Sequence, residues 1–259
     1  MAKDVTLGSV FANLKEIFVP TVPTMDDLQE DMLAFRAAQN AKRKHADDHL
    51  YVTDFAYKPC VRRLAYYFLR PDLQDSKDPK MIFGMDEGTM IHEYFQDWIL
   101  GPMQNLKGEW ECSRCGHIEK GLRPTGPCLG SIKVLDLMDD KWVKTTCKEA
   151  KMKWKFKEEH ISLEFHGIKV TGRPDGHFIR SGDKLLEIKS MEEEKFNALT
   201  EPRDYHVFQA SVYGDALGFD EVVILYVNWN HWWQVKAFVV KVNKDALKSI
   251  EMTCETVRF

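Results

Sequence analysis

Gly172-Arg173-Pro174-Asp175-Gly176 and, after a short interval, Leu185-Leu186-Glu187-Ile188-Lys189-Ser190 are the stretch that decides the fold. Leu185, Leu186 and Ile188 mark the second segment as a short buried strand, and side chains alternate across a strand. Glu187 and Lys189 therefore point one way and Ile188 turns into the core. Ile168 to Ile179, with Gly172 and Gly176 inside it, reads as a bent strand lying alongside. An acid at the end of one strand and acid-x-lysine on the next is a way to build a metal-dependent phosphodiesterase. Asp175 and Glu187 would share a divalent cation, which relieves the repulsion between two close carboxylates. Lys189 would stand beside it to orient a water or neutralise charge developing on a phosphate. Each motif alone has a plainer reading: Asp between Pro and Gly is a common turn residue, and E-x-K recurs in surface strands. The combination at this spacing favours a site.

Working outward, a chain of 259 residues can bury a substantial core, as one large domain or one domain with a smaller insertion. With 44% hydrophobic and 29% charged residues its composition is that of an ordinary water-soluble globular protein. No apolar run approaches the roughly 18–20 residues of a membrane span, and the N-terminus lacks the basic-then-apolar order of a secretory signal. These features predict a cytoplasmic protein with no membrane partner, whose six cysteines are thiols or metal ligands rather than disulfides. The net charge of -4 argues against nonspecific coating of nucleic acid, but seven lysines against one acid, Glu149, crowd Lys141 to Lys157. A basic groove suffices for phosphate contacts, so the net charge leaves the matter open.

Thr24, Asp26 and Asp27 predict the cap of a first helix, on which Leu28, Met32, Phe35 and Ala38 share a face. Pro59 to Leu69 predicts a second helix, opened by a proline and stopped by Pro71. A third runs from about Met85 to Leu100, with Ile91, Phe95 and Trp98 toward the core and Gly88 leaving room beside His92. Residues 101–150 change character and read as an inserted subdomain. Strands follow at about 151–157, 163–170, 173–179 and 184–190. A helix spans Tyr205 to Leu217, stopped by Gly218, with Gln209 and Tyr213 one turn apart on one face. Strands Glu221–Asn228 and Trp233–Val242 and a closing helix Lys244–Val257 complete an α/β order, a mixed sheet with helices packed on it.

In this order Gly88…His92, Gly172-Arg173-Pro174-Asp175-Gly176, Glu187-Ile188-Lys189 and Gln209…Tyr213 resemble the motifs of the RecB-like branch of the PD-(D/E)xK nuclease superfamily, over residues of about 55 to 240. The resemblance implies a restriction-endonuclease-like mixed central sheet flanked by helices. It implies that His92, Asp175 and Glu187, with the carbonyl of Ile188, bind Mg²⁺ or Mn²⁺. Lys189 would assist the attacking water, and Gln209 and Tyr213 would steady the active site and the DNA backbone. The expected activity is metal-dependent hydrolysis of DNA, by an exonuclease acting on ends or single strands in replication, recombination or repair. The setting would be a bacterial or phage-infected cell, in company with a replication or recombination protein. A CRISPR-adaptation nuclease with an iron–sulfur cluster is one alternative, and a non-catalytic DNA-binding or assembly module on the same fold is another. RNA is also open as a substrate.

Cys112-Ser113-Arg114-Cys115-Gly116 is a knuckle that offers two thiolates to one metal, and Cys128 and Cys147 follow. Four thiolates predict a structural zinc site, with His117 or Cys60 as a rival fourth ligand. Relatives that hold an iron–sulfur cluster place one cysteine ahead of the His helix and three near the C-terminus. Cys60 resembles the first, but only Cys254 stands where the triplet would be. A cluster rebuilt from Cys60, Cys112, Cys115 and Cys128 is the remaining version.

Lys151, Lys153, Lys155 and Lys157 alternate with Met152, Trp154 and Phe156, so four ammonium groups line one strand face. That face is either a solvated surface or a track for a DNA backbone, to which Arg62 and Arg63 could add. The expected organisation is a helical segment at 1–54, a nuclease core at 55–100 and 151–259, and a metal-knuckle insertion at 101–150.

Overall fold

Apolar periodicity sets the strands and helices of this chain, and packing decides which become neighbours. The computed structural model describes residues 25–41, 49–56, 60–70, 78–136, 138, 141–148, 154–180 and 182–257. The first elements are α1 (Met25–Ala41), β1 (His49–Tyr51), α2 (Val52–Ala56), α3 (Val61–Leu69) and α4 (Pro79–Glu93). A π-helical turn, Tyr94–Leu100, continues α4. Then come β2 (Leu106–Cys112), β3 (Ile118–Leu122), β4 (Ser131–Asp136), β5 (Lys141–Thr146), β6 (Trp154–Lys157), β7 (Ile161–Phe165), β8 (Ile168–Gly172) and β9 (Gly176–Phe178). The chain ends with β10 (Lys184–Met191), α5 (Glu193–Asn197), α6 (Asp204–Leu217), β11 (Glu221–Asn228), β12 (Val235–Lys241) and α7 (Asp245–Val257). The described residues form two units: one holds α1 and the opening of α4 as far as Ile82, the other all the remaining elements. In α1 the apolar stripe is open, with Met32 and Phe35 exposed.

The main sheet has seven strands in the order β12-β11-β10-β9-β2-β3, with β6 also paired to β2. Among the described residues of this sheet only β10 and β11 are parallel, with Glu187 beside Ile224 and Lys189 beside Tyr226. Both strands are buried on two faces, which explains their unbroken apolar runs. Leu185, Val222, Ile224 and Tyr226 face one way, onto α6 and α7 through Ala210, Val212, Ala246 and Ile250. Leu186, Ile188, Val223, Leu225 and Val227 face the other way, onto Ile91 and Phe95. The fold is therefore α/β and restriction-endonuclease-like, a mixed central sheet flanked by helices, with the cysteine-bearing segment attached.

Several expectations are corrected. The bent strand at 168–179 is two strands in two sheets. β8 pairs with β1 and β7 in a three-stranded sheet, and β9 pairs with β10 and β2. Gly176 makes the turn between them at φ +133, where an added Cβ would lie 2.6 Å from Leu106. The strand read at 163–170 is a hairpin, broken by His166 and Gly167, both at positive φ. The core begins at His49 rather than 55, because β1 joins β8 in parallel and Leu50, Val52 and Phe55 are buried. Segment 101–150 does not stand apart, since β2 is paired on one edge with β3 and on the other with β9 and β6. Trp98 is 74% exposed, not a core residue. The π turn inserts an extra residue per turn, sealed by Gly101 N–H to Gln96 O at 3.0 Å, and rotates Trp98 outward while Leu100 turns in. Gly88 does not make room for the imidazole: an added Cβ would meet Ser190 Oγ at 3.5 Å, an ordinary contact.

Candidate active site

The ladder between β9 and β10 ends at Leu186, so the next residues of β10 face an open edge. Asp175 occupies it. Its N–H donates to Leu186 O at 3.1 Å, and its Oδ2 accepts the Ile188 N–H at 2.6 Å. Asp175 Oδ1 lies 2.9 Å from His92 Nδ1, reaching across from α4. On β10, Glu187 Oε1 meets Lys189 Nζ at 2.6 Å. On α6, Gln209 Nε2 donates to the Tyr213 hydroxyl at 3.1 Å. All of these side chains line one cleft of about 820 Å³, with Arg173 exposed at its rim. Gly172 makes the approach of Tyr213 possible: an added Cβ would stand 2.4 Å from Cε1 of that ring.

His92, Asp175, Glu187, Lys189, Gln209 and Tyr213 are thus brought together, and none of the buried ones is a merely solvated polar residue. Ile188 enters through its N–H. Two participants were missed. Glu158 converges with His92 and Asp175, one ligand atom of each lying within 4.8 Å of the others. Gln96 is buried and donates to Asp175 O at 3.0 Å and to Glu158 Oε1 at 3.3 Å. Both had a legible signal. Gln96 is four residues beyond His92 on the same helix face. Glu158 continues the inward alternation of Trp154 and Phe156 on β6, the face opposite to the lysines. The π turn aims this strand, because Asp97 Oδ1 accepts the Phe156 N–H at 2.7 Å.

The electrostatics are those of a crowded anionic site. Burial alone would raise the Asp175 pKa, but His92, Lys189 and the Ile188 N–H outweigh it and hold it below the usual range. Burial opposes charge on His92, yet the charge and hydrogen bond of Asp175 raise its pKa. Burial and Asp175 raise Glu158. At Glu187 burial wins over the pull of Lys189 and pushes the carboxyl up to about 7. Glu187 Oε2 is buried and has no hydrogen-bond partner among the described residues. A buried oxygen without a donor, in a carboxylate that feels the charges of Asp175 and His92, fits a divalent cation.

The second cluster is Cys112, Cys115, Cys128 and Cys147, whose sulfurs all lie within 4.8 Å of one another. Cys112 and Cys115 bracket the β2–β3 turn, closed by Gly116 N–H to Cys112 O at 2.8 Å. Cys128 and Cys147 flank the β4–β5 hairpin. The sulfur separations of 3.9 Å (Cys112–Cys147) and 3.5 Å (Cys115–Cys128) match the edge of about 3.8 Å of a tetrahedron with ~2.3 Å metal–sulfur bonds. Burial opposes ionisation of Cys112, but the backbone N–H groups of Cys115 and Arg114 bring it down to about 7. Burial pushes Cys128 up to about 12. This donor set suits a metal or a cluster. The rivals fall away: His117 Nε2 faces Glu119 at 3.8 Å, Cys60 is exposed at the start of α3, and Cys254 is buried in the core on α7.

The basic strand is divided. Lys151 and Lys153 lie outside the described residues, as does Pro59. Lys155 and Lys157 are exposed, and Lys157 lines the cleft, but each has a glutamate opposite it on β2, Glu111 and Glu109. Arg62 and Arg63 are exposed on α3 and do not line the cleft.

Fold and site together define a restriction-endonuclease-like α/β protein with a buried carboxylate–histidine–lysine cluster and a four-cysteine knuckle. No protein-family model matches the chain, and no curated sequence does. Among solved structures the chain is similar to the crystal structure of SSO0001, at 14% identity over 89% of this chain and 85% of that one, with a TM-score of 0.50. That likeness is one of fold. A structure of Scheffersomyces stipitis Rai1 in complex with (3'-NADP)+ and calcium ion also matches, at 11% identity over 90% of this chain and 66% of that one. Its TM-score of 0.26 carries no argument. No helix among the described residues is long and apolar enough to cross a membrane.

Proposed function

We propose that the protein is a metal-dependent nuclease that hydrolyses phosphodiester bonds in DNA, in the manner of the RecB-like enzymes its motifs resemble. The observation that carries the reading is Glu187: a buried carboxylate with one oxygen on Lys189 and the other without a donor, in a residue that lines the cleft with Asp175 and His92. A scaffold that only bound DNA would have no use for two carboxylates converging with a histidine, since the carboxylates repel its phosphates.

Asp175, Glu158 and His92, with the free oxygen of Glu187, would hold Mg²⁺ or Mn²⁺. When bound, the cation supplies Lewis acidity toward a phosphoryl oxygen and lowers the pKa of a water. Lys189 keeps its proton, because Glu187 and Asp175 outweigh the effect of burial. Its ammonium group can therefore orient a water or neutralise charge on the phosphate, but not act as a base. Tyr213, held by Gln209, keeps its hydroxyl proton, since burial raises its pKa, and can donate to a phosphate oxygen. Arg173 at the rim offers a further cation to the incoming backbone.

The cysteine knuckle is read as a single structural zinc, because four thiols drawn this close fit one tetrahedral ion. An exonuclease working on ends or single strands in replication, recombination or repair is the particular form proposed. Digestion of end-labelled single- and double-stranded DNA by wild type and Asp175→Ala, with Mg²⁺, Mn²⁺ or EDTA, tests it. Cleavage that requires metal and vanishes in the variant is expected, and the product ladder reads out polarity. DNA binding without cleavage under every condition would overturn the enzyme in favour of a non-catalytic module.

A further inference from the structure

The β4–β5 ribbon has a feature that its own stability does not explain. Lys133 stands directly opposite Lys144 in the antiparallel register. Like charges in that position destabilise a hairpin. Neither lysine has a carboxylate within ion-pair reach among the described residues. Asp136 is opposite Lys141, but alternation puts that pair on the other face. One step along the lysine face comes the pair Leu135–Trp142, with Trp142 69% exposed. This face points to solvent: Ile132, on the reverse side, packs against the core, and every residue of β5 is exposed.

We propose that this ribbon grips single-stranded nucleic acid, Lys133 and Lys144 closing on a backbone phosphate and Trp142 stacking on the neighbouring base. An anion between the two ammonium groups turns their repulsion into a binding site, and an aromatic face beside a cationic one is the pairing that holds unpaired strands. The ribbon is held at its base. Cys147 N–H donates to Gly130 O at 2.7 Å and Lys148 N–H to Cys128 O at 2.9 Å, directly at the four-cysteine knuckle. The knuckle is in turn tied to the cleft. Cys112 on β2 is paired with Trp154 on β6, and four residues further along that chain Glu158 enters the catalytic cluster, about 13 Å away at strand rise. The proposal deepens the nuclease reading by naming an unpaired strand as substrate and placing a second grip on it outside the cleft.

The test is anisotropy of a labelled oligothymidylate across a salt series without added divalent cation, on wild type, Lys133→Ala/Lys144→Ala, Trp142→Ala and Trp142→Phe. The double lysine variant is expected to lower the slope of log affinity against log salt by about 0.7, the share of one neutralised phosphate on a single strand. Trp142→Ala should weaken binding on the order of 10-fold with the slope retained, and Trp142→Phe should restore most of it. Metal content per chain equal to that of wild type shows that each variant keeps its knuckle. Wild-type affinity and slope in the double variant overturn the proposal, as does failure of the wild type to bind the strand. Hydrolysis of bis(p-nitrophenyl) phosphate, too small to span cleft and ribbon, is measured alongside. Its absence counts against the nuclease reading alone, and its persistence in the ribbon variants keeps the two questions separate.

Discussion

Glu187→Gln is expected to abolish cleavage and yet, in metal-free protein, to gain stability over wild type as the pH rises. Glu187 is 2% exposed and burial pushes its carboxyl up to about 7 from an ordinary 4.5. The folded state therefore holds this proton more tightly than the unfolded chain. The resulting stabilisation is complete below pH 4.5 and is lost as pH rises through about 7. The whole difference corresponds to about 3 kcal/mol. His206 works in the opposite direction. Burial, with Lys189 and Arg203, brings its imidazole down to about 3, so its contribution is present above 6.5 and lost as pH falls. The two slopes oppose each other between 4.5 and 6.5, so the quantity to measure is the difference between variant and wild type. Urea unfolding at about pH 5 and about pH 8, without metal, should show the glutamine variant gaining up to about 3 kcal/mol on wild type across that interval. The gain is reduced by the Lys189 ammonium, which loses its partner at 2.6 Å. Mn²⁺ at about 100 times its dissociation constant should then add about 2.7 kcal/mol to wild type and much less to the variant. A difference that stays flat with pH, or a variant that loses ground at high pH, would refute the argument that desolvation governs Glu187.

Glu158→Gln should raise the Mn²⁺ concentration for half-maximal cleavage on the order of 10-fold, because one of three converging ligands loses its charge; an unchanged metal titration removes Glu158 from the site. Gly172→Ala places a Cβ 2.4 Å from the Tyr213 ring, which is 3% exposed, so the ring or the backbone must shift. A loss of about 1–3 kcal/mol in chemical unfolding, together with slower cleavage, is expected. Cys147→Ser should lose the bound metal, read by elemental analysis, and lower the melting temperature, whereas Cys60→Ser and His117→Ala should keep both.

The alternation of Glu187, Ile188 and Lys189 was legible because the period of a strand is set by the backbone itself, whatever it packs against. The same holds for β11, apolar on both faces, and for Gly218, which ends α6 in the left-handed conformation at φ 78. The four motifs of the cleft stood in the sequence in order, and the structure brings His92, Asp175, Glu187, Lys189, Gln209 and Tyr213 to one place. Glu158 and Gln96 carried local signals, but these acquired meaning only once β6 and α4 had a common target. Other features left no local trace. That Cys147 completes the knuckle and His117 does not depends on the hairpin β4–β5 folding back, a contact across many residues of chain. The split of 168–179 into two sheets and the merging of β2 and β3 with the central sheet depend on which edges were free to pair. Backbone geometry and the pattern of apolar residues, both written locally, therefore determined the elements and the face on which each reactive side chain lies. Tertiary packing alone decided which faces meet, because pairing and burial energies belong to contacts between distant segments.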